Sequence, residues 1–463
     1  MKKINIFYKS WCNGYLKDLK LDLVPFFLRY KVTLSFSKRM HLLTKKILIK
    51  HTLPFFLVVF YSAQVSSIDK NQSEAMQLVT LEQMFKVAIQ ENSGLKVQKA
   101  ELEAAQSDLD AAKWQRFPSF SLEQNTVSND GNTASAIIEQ PIWSGGEISA
   151  QIGVADAALA EQKAKFDEAA LNLLIDVASA YYDVLRLEKR QEVAKENTQQ
   201  HKKFLSAIKR RVDSQISPNA DYVLADARYQ QAIRQEFLAE QDLHSRQAEL
   251  DRLTEGNLQP QDPSKLLQIP LEVLQSYVSM VLEASPKLAS LRASTDKGKM
   301  LVARERSSLW PKLVAQISSS KLATDDNYSD PSYGLLLKYN TGSGLSNLDK
   351  IKATNLRLDS SYAEMRYERQ KIKQEAIQML RRYHSLKDQS EPAARLKEST
   401  IVVIDSYLRQ FKIGKKSWLD VLNAQREKTD ALNAAYDNSY FLEATIQEML
   451  LMVNWEGFRQ RFY

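Results

Sequence analysis

Apolar residues recur at intervals of seven in the first half of the chain. Ile152, Leu159, Phe166 and Leu173 follow this spacing in an alanine-rich stretch. A seven-residue repeat is typical of helices that pack as coiled coils, and alanines let neighbouring helices approach closely. The pattern predicts one helical stretch over residues 147–212.

Helical spacing predicts five other segments. The break at Asn92-Ser93-Gly94 divides the first, the break at Ser285-Pro286 divides the third, and Pro118 and Pro311 end these two. Pro392 lies inside the fourth, where proline favours a kink. The five segments are residues 79–115, 220–254, 271–309, 345–413 and 417–454.

Alternation of apolar and polar residues predicts two hairpins of strands. Phe120 and Leu122 fall on one face of the first strand, while Ser121 and Glu123 fall on the other, as in a half-buried strand. Asn129-Asp130-Gly131-Asn132 is a strong turn signal. The strands predicted in this way are residues 119–127, 133–143, 312–320 and 333–340, the last two flanking Asp325-Asp326-Asn327.

The chain repeats itself. YLRQFKIGKKSWLDVLNAQREKTDA has the same layout as IKRRVDSQISPNADYVLADARYQQA, and Asp420 matches Asp221 at a stride of 199 residues. Glycines that turn strand into helix also recur, Gly145 and Gly146 in one half and Gly342 and Gly344 in the other. The pattern predicts a first structural repeat over residues 68–255, a linker over 256–271 and a second repeat over 272–463.

Length makes an oligomer necessary under this interpretation. Each long helix would extend for roughly 100 Å at about 1.5 Å per residue, with two helices of about half that length beside it. A rod of this kind has too much surface for its volume to bury its apolar faces alone. Strands of about 8–11 residues suit a tilted transmembrane β-strand. Four of them cannot close a barrel, and an open sheet edge in lipid is forbidden, so we expect neighbouring copies to complete both parts.

Charge is distributed unevenly. The net charge is +7, but residues 1–67 hold 12 Lys or Arg and 2 Asp or Glu, so the remainder carries −3. This distribution argues against a nucleic-acid-binding protein. Cys12 is the only cysteine, which leaves the body without a disulfide framework or thiolate chemistry.

The front of the chain has the features of an export signal. Residues 45–67 contain a basic start, a short apolar run and small residues, with cleavage expected after Ser67. Met40 offers a second start, so residues 1–67 divide into an extension and a signal peptide at about 40–67. The alternative is an uncleaved signal that anchors the chain. A lipid anchor is excluded, since no cysteine follows the apolar run.

Three motifs carry a resemblance to a known family. Gln140-Pro141-Ile142-Trp143-Ser144-Gly145-Gly146, the stretch from Ala220 to Arg228 and the stretch from Gly414 to Ala424 resemble TolC-like outer-membrane channel proteins. The resemblance covers nearly all of residues 75–455, and the order, spacing and duplication of the motifs make it specific.

The resemblance implies a fold and a set of partners. The fold class is mainly α with a small β part, in which duplicated long-helix hairpins of three chains form an α-barrel below a twelve-stranded outer-membrane β-barrel. The partners implied are the two other copies, outer-membrane lipid, a periplasmic adaptor and an inner-membrane ABC transporter or proton-driven pump. No enzyme activity, cofactor or metal is implied, and the location is the outer membrane and periplasm.

Asp420 has two possible roles. Ser417 can cap the restarting helix, and Asp420 three residues later fits the acid of a capping box and suits the helix dipole. In a trimer, the resemblance implies that Asp420 recurs as a ring of three carboxylates at the narrowest point of the pore. Similar channels have a second acidic ring where this chain has Asn423, so tight cation binding is not expected.

The resemblance also implies a latch at the hairpin tips. In the family an Arg is common two residues after the Gly of the second hairpin, and here that residue is Lys416. The matching acid on the first hairpin is Asp221, and Phe411 replaces a usual Tyr. We expect a latch that depends on a Lys416–Asp221 contact and is weaker than a bidentate Arg pair. The alternative is a solvated Lys416, or one that touches only the adaptor.

The cargo stays open between two classes. Trp143 in the first motif favours channels of type I protein secretion over multidrug efflux channels. A third hypothesis is a coiled-coil scaffold or adaptor, and the duplicated strand hairpins argue against it. His201, His244 and His384 are scattered without metal-ligand spacing.

Overall fold

The computed structural model describes residues 78–127, 131–262, 268–322, 331–340 and 342–462, all within a compact unit that extends from Asn71 to Tyr463. The predicted signal at 40–67 lies outside the described residues. Among the described helices, none combines the length and apolar character that a membrane-spanning helix needs.

The same order of elements occurs twice. The first repeat contains β1 (Leu78–Val79), α1 (Leu81–Glu91), α2 (Ser93–Trp114), β2 (Ser119–Val127), β3 (Gly131–Trp143), α3 (Glu147–Asp213) and α4 (Asn219–Thr254). The second contains β4 (Gln259–Pro260), α5 (Leu271–Ala284), α6 (Pro286–Ser307), β5 (Lys312–Leu322), β6 (Ser332–Lys338), α7 (Ser346–Lys412), α8 (Trp418–Val453) and α9 (Trp455–Phe462). The elements follow the predicted duplication, and the domain boundaries themselves stay a prediction.

Local capping explains where the helices begin. Asn92 accepts a hydrogen bond from the backbone N–H of Leu95 at 3.1 Å and so starts α2. Ser285 starts α6 in the same way, because its hydroxyl oxygen accepts a hydrogen bond from the backbone N–H of Leu288. Pro286 occupies the first helical position, where a backbone N–H would have no helical acceptor and proline has none to leave unsatisfied. The two predicted breaks are therefore N-caps of new helices. Helix α7 continues through Pro392 as one element.

The four long strands form one antiparallel sheet in the order β2-β3-β5-β6. The register aligns Leu122 with Ala136 and Leu335 with Ala315, so both leucines lie on the same face. This face is mostly apolar, and the opposite face is mostly polar. The apolar face carries Phe120, Leu122, Ile138, Ile317, Tyr333, Leu335 and Leu337, and the polar face carries Ser121, Glu123, Glu139, Gln316, Ser318 and Lys338.

Strands β2 and β6 are the edges of this sheet, and neither edge is paired within the described residues. The register of β3 against β5 shifts between Pro141 and Trp143, a bulge that fits the missing N–H of proline. Lys338 at the end of β6 pairs with Glu139 of β3 at 2.8 Å. The sheet is thus two-sided, with one apolar surface and two open edges.

The long helices carry the rest of the fold. Helices α3 and α7 have 67 residues each, and α4 and α8 have 36 each. Helix α3 packs against α4 and α8, and α8 also packs against α7. A core at mid-length joins α1, α3, α4 and α8 around Phe85, Tyr181, Leu250 and Leu451.

Two details depart from the predicted elements. The predicted linker 256–271 contains β4, which pairs in parallel with β1, so that Leu78 aligns with Gln259. The Tyr181 hydroxyl donates to the carbonyl of Gln261 at 2.5 Å and fixes this junction, and burial raises the pKa of Tyr181 to about 12. The second detail is α9, a short helix beyond the predicted last one.

The four turn glycines all have positive φ, as their position between strand and helix requires. Gly145 and Gly146 have φ of 61° and 90°, and Gly342 and Gly344 have φ of 75° and 58°. A Cβ on Gly145 would lie 2.6 Å from the Cβ of Trp310. The first turn is therefore limited by space as well as by backbone conformation.

Candidate functional site at the tips of the helical hairpins

The two helix-hairpin turns share a backbone motif. Gln215 and Gly414 take up left-handed conformations, with φ of 59° and 75°. The N–H of the next residue then donates back to the last turn of the helix: Ile216 to the carbonyl of Arg211 at 2.8 Å, and Lys415 to that of Gln410 at 2.9 Å. This is the Schellman arrangement that ends many helices.

Asp420 is a capping residue of α8. Its Oδ2 accepts from the Ser417 N–H at 3.0 Å, and the Ser417 Oγ accepts from the Asp420 N–H at 3.1 Å. The Ser417 hydroxyl and then its N–H hold the pKa of the Asp420 carboxyl below its usual value, with a smaller contribution from Lys416. The capping box expected from the sequence is present.

Asp221 does not repeat that role. The N-cap of α4 is Pro218, which makes no side-chain capping bond. Asp221 donates its backbone N–H to the Pro218 carbonyl at 3.0 Å, and its side chain makes no capping bond among the described residues. The two aspartates of the duplicated motif therefore occupy matching places in the first helical turn with different bonds.

Lys416 lies over an aromatic ring of its own hairpin. Its Nζ is 4.3 Å from the ring centroid of Tyr407. Within the described part of one chain, Lys416 and Asp221 form no ion pair. The latch between Lys416 of one copy and Asp221 of its neighbour stays a prediction.

The ring of Phe411, in the second hairpin, makes a cation–π contact with Arg211 of the first hairpin. The guanidinium carbon of Arg211 lies 5.1 Å from the Phe411 ring centroid, and Arg211 Nε also donates to Ser217 at 3.3 Å. Trp418 completes the cluster, with its ring 5.7 Å from that of Phe411 and 5.2 Å from that of Phe204. The Phe411 ring is therefore held by a cation–π contact and by the neighbouring Trp418 ring.

Sequence reasoning missed Arg211, Trp418 and Tyr407. Tyr407 and Phe411 are four residues apart, which places them on one side of α7. Trp418 matches Asn219 at the 199-residue stride. A large aromatic residue in one repeat that aligns with a polar residue in the other could have indicated a local core in the second hairpin.

Polar contacts tie α3 to α8 above the tip. The buried Asn197 accepts through Oδ1 from Gln425 at 2.9 Å and from Thr429 at 3.2 Å. Lys428 pairs with Glu196 at 2.8 Å. These contacts hold the second hairpin against the first.

Asn423 and His201 line a cavity of about 410 Å³ between α3, α4 and α8. His201 is 8% exposed, and burial, with Arg228 nearby, lowers its pKa to about 4. Its imidazole is therefore neutral near pH 7. In the described residues, no group of three or more His, Cys, Asp or Glu is arranged to hold a metal ion.

Comparisons with known proteins agree with this architecture. The family model described as outer membrane efflux protein matches residues 85–256. The alkaline protease secretion protein AprF of Pseudomonas aeruginosa is 24% identical over 329 residues, 66% of this chain and 67% of AprF. The cobalt-zinc-cadmium resistance protein CzcC of Cupriavidus metallidurans is 26% identical over 274 residues, 58% of this chain and 65% of CzcC.

A solved structure gives the same result for the fold. The outer-membrane channel OprN matches with a TM-score of 0.70 at 16% identity, covering 81% of this chain and 90% of OprN. The matches to AprF and CzcC span about two thirds of the length of each relative.

These findings confirm the resemblance to the TolC-like outer-membrane channel family. The fold is that of an outer-membrane channel. The matching family model is described as an outer membrane efflux protein, and AprF is named for protease secretion.

Proposed function

We propose that three copies of this chain form an exit duct for cargo that an inner-membrane pump delivers through a periplasmic adaptor. The observation that carries this is the sheet, which has one apolar face, two open edges and four strands. An open edge in lipid leaves backbone groups unsatisfied, so further copies must pair with β2 and β6. Three copies would close twelve strands, with the apolar face toward outer-membrane lipid.

Exposed apolar side chains on the long helices support the same assembly. In one chain, α4 exposes Phe237 and Leu238, and α7 exposes Leu356, Tyr367 and Val402. Large apolar residues that recur along two helices are typical of a protein interface. Lateral packing of α4 on the α7 of a neighbouring copy would cover them and continue the helical wall.

The membrane placement of the sheet has a matched test. Leu122→Arg puts a charge on the apolar face, and Ser121→Arg puts the same charge on the opposite face of the same strand. The first should impair trimer assembly by about 2–4 kcal/mol if the site is near the bilayer midplane. The second should leave SDS-resistant trimers in the outer-membrane fraction. Equal trimer yields from both variants would contradict this placement.

For cargo, we favour protein export of the type I kind. AprF, named for secretion of a protease, aligns over more of this chain than CzcC does, and Trp143 favours the same class. The name of CzcC, which reports cobalt, zinc and cadmium resistance, makes metal or drug efflux the second candidate. Deletion of the gene should remove a protein from the culture medium in the first case. Metal or drug sensitivity with an unchanged secretome would support the second.

We propose that Asp420, besides capping α8, forms a ring of three carboxylates at the pore entrance of the trimer. Asp420→Ala should leave the trimer assembled and change the ion selectivity of single channels if three carboxylates converge. Asn423→Asp should strengthen block by multivalent cations, because it adds a second acidic ring. Unaltered selectivity and block would leave Asp420 a helix cap only.

The Lys416–Asp221 latch is tested by a double-mutant cycle. Lys416→Ala and Asp221→Ala should each raise bilayer conductance, and the double variant should add little. An exposed pair of this kind contributes only about 0–1 kcal/mol, so the effect depends on a gate near balance. Additive changes, or single variants that conduct like the wild type, would discard the latch.

A further inference from the structure

The cavity between α3, α4 and α8 contains buried polar atoms without partners. Its volume of about 410 Å³ is in the range of small-molecule sites. His201 is 8% exposed, and its Nδ1 has no hydrogen-bond partner among the described residues. The same is true of the buried Oδ1 of Asn433, which lines the cavity on α8. Buried polar atoms are normally hydrogen-bonded, so two such atoms in one cavity indicate a missing partner.

Two arginines bring positive charge to this cavity from different helices. Arg228 lies nine residues beyond the first residue of α4, and Arg426 lies eight residues beyond the first residue of α8. Both therefore lie roughly 12–14 Å along their helices from the two turns. Burial lowers the pKa of His201 to about 4, and Arg228 is near enough to add to this shift. The imidazole and the two guanidinium groups thus belong to the same end of the cavity.

Neither guanidinium group is paired with a carboxylate of the described residues. Arg228 donates to the side-chain oxygen of Gln231 at 2.9 Å, and Arg426 forms no ion pair in the described part of the chain. Asp430 and Asp242 also line the cavity. Asp430 lies one turn beyond Arg426, and Asp242 lies fourteen residues beyond Arg228, roughly 21 Å along α4. The end of the cavity nearer the turns is therefore positive.

The wall beside this positive end is apolar and fixed. Leu187, Ala232 and Leu422 line the cavity and are buried. Asn197 on α3 accepts hydrogen bonds from Gln425 and Thr429 of α8, which holds the two helices together at this level. A preformed cavity lowers the ordering cost of binding a small ligand.

We propose that this cavity is a binding site for a small organic carboxylate. Its two oxygens accept from Arg228 and Arg426, because planar guanidinium groups suit carboxylate geometry. The neutral His201 donates through Nδ1, and the apolar body of the ligand lies against Leu187 and Leu422. The site is contained in one chain, so it does not depend on the proposed duct.

Three probes test this chemistry on the purified full-length protein. Cyclohexanecarboxylate carries a charge and an apolar ring, cyclohexanecarboxamide has nearly the same shape without the charge, and inorganic phosphate has the charge without the ring. In isothermal titration calorimetry, the carboxylate should bind at least about tenfold more tightly than either control, because it alone meets both parts of the site.

Each control has its own contradicting result. Equal affinity for the carboxylate and the amide would overturn the role of charge. Equal affinity for the carboxylate and phosphate would overturn the apolar part of the assignment. If none of the three probes binds, water alone meets the unpaired atoms, and the proposed site is refuted.

Matched arginine variants locate the binding. Arg228→Gln and Arg426→Gln should each weaken carboxylate binding by about tenfold, since each removes a charged donor. Arg234→Gln removes the same charge from an exposed position of α4 outside the cavity and should leave the affinity unchanged. Equal losses in all three variants would indicate an effect of net charge and overturn the site.

His201→Leu separates binding from packing. The substitution removes an unsatisfied buried nitrogen, so the thermal midpoint of the ligand-free protein should stay the same or rise while carboxylate affinity falls. A lower midpoint with unchanged affinity would assign His201 to packing alone.

Trimer formation is measured on the same samples. If Arg228→Gln or Arg426→Gln abolishes trimers and leaves carboxylate affinity unchanged, these arginines serve contacts between copies, and the proposed site is refuted. Carboxylate binding by a chain that forms no trimer would support the site while contradicting the duct.

Discussion

Gln215 and Gly414 occupy equivalent places in the two helical turns, 199 residues apart, and both have positive φ. The turns share their backbone hydrogen bonds but differ in what surrounds them. The second has a glycine, a capping box and the buried Trp418, whereas the first has a glutamine, Pro218 without a capping bond and Asn219. Duplication has thus kept the path of the chain while the stabilising side chains diverged.

The comparison teaches that the second hairpin carries the local core of the tip. Trp418 is 6% exposed and packs against Phe204 of α3 as well as Phe411 of α7. The first turn contributes Arg211, which reaches across to the same ring cluster. The first turn is therefore supported by contacts to the second.

The largest expected effect comes from removal of the aromatic core. Trp418→Ala should destabilise the tip by about 3–5 kcal/mol, because it leaves a large cavity. Asn219→Ala, the matched change in the first turn, should fall within about 0.5 kcal/mol of wild type, since Asn219 is exposed. Hydrogen exchange of the tip helices measures both. Similar losses of protection in the two variants would show that the turns are equivalent after all.

Removal of the cap should have an intermediate effect. Ser417→Ala eliminates the bond to the Asp420 N–H and should cost about 1 kcal/mol. Pro218→Ala removes no side-chain bond and serves as the control. Thermal unfolding monitored by circular dichroism compares the two. A loss for Pro218→Ala as large as that for Ser417→Ala would contradict the difference in capping.

Exchange of the left-handed residues should destabilise the second turn by no more than removal of the cap does and should not destabilise the first turn. Gly414→Gln places a side chain at φ 75° and should destabilise by about 1 kcal/mol. Gln215→Gly relieves the same strain and should be neutral or stabilising by a few tenths of a kcal/mol, because glycine also gains entropy in the unfolded chain. The urea midpoint should fall for Gly414→Gln and should stay the same or rise slightly for Gln215→Gly. A lower midpoint for both variants would mean that side-chain contacts outweigh the backbone at these positions.

The pH response of Asp420 should separate the cap from the ring. A cap alone holds its pKa below the unfolded value of about 3.9, so its stabilisation is complete above that pH and is lost as pH falls through the lower folded value. Three converging carboxylates would raise the pKa instead. Titration of the Asp420 side chain by NMR in the trimer decides, with Asp420→Asn to assign the signal. A raised value would show that the ring dominates.

Much of this fold could be predicted from short stretches of sequence. The alternation of Phe120 and Leu122 with polar residues indicated a two-faced strand, and Ser417 with Asp420 indicated a capping box, because these signals act within a few residues. The predicted start of the second strand, at residue 133, was less accurate, because β3 begins at Gly131 inside the predicted turn. Turn residues can also extend a ladder once a partner strand is present.

The candidate site was predicted only in part. The structure places Gly414, Asp420 and Phe411 at the turn of the second hairpin, while their predicted pore and latch roles stay predictions. The contact between Arg211 and Phe411 was not foreseen. The two residues are 200 positions apart, and no local pattern relates them. The pairing of β1 with β4 was missed for the same reason, as two-residue strands have no periodicity to detect.

By itself, the sequence determined the helix ends, the turns, the strand faces and the duplication, because each depends on residues within one turn or one repeat. Only the tertiary structure decided which side chains meet across the hairpins, such as Arg211 over Phe411 and Asn197 with Gln425. An offset of one residue rotates a helical side chain by about 100° around its axis. Contacts between helices of 67 residues therefore depend on their mutual register and rotation, which packing along the whole length sets.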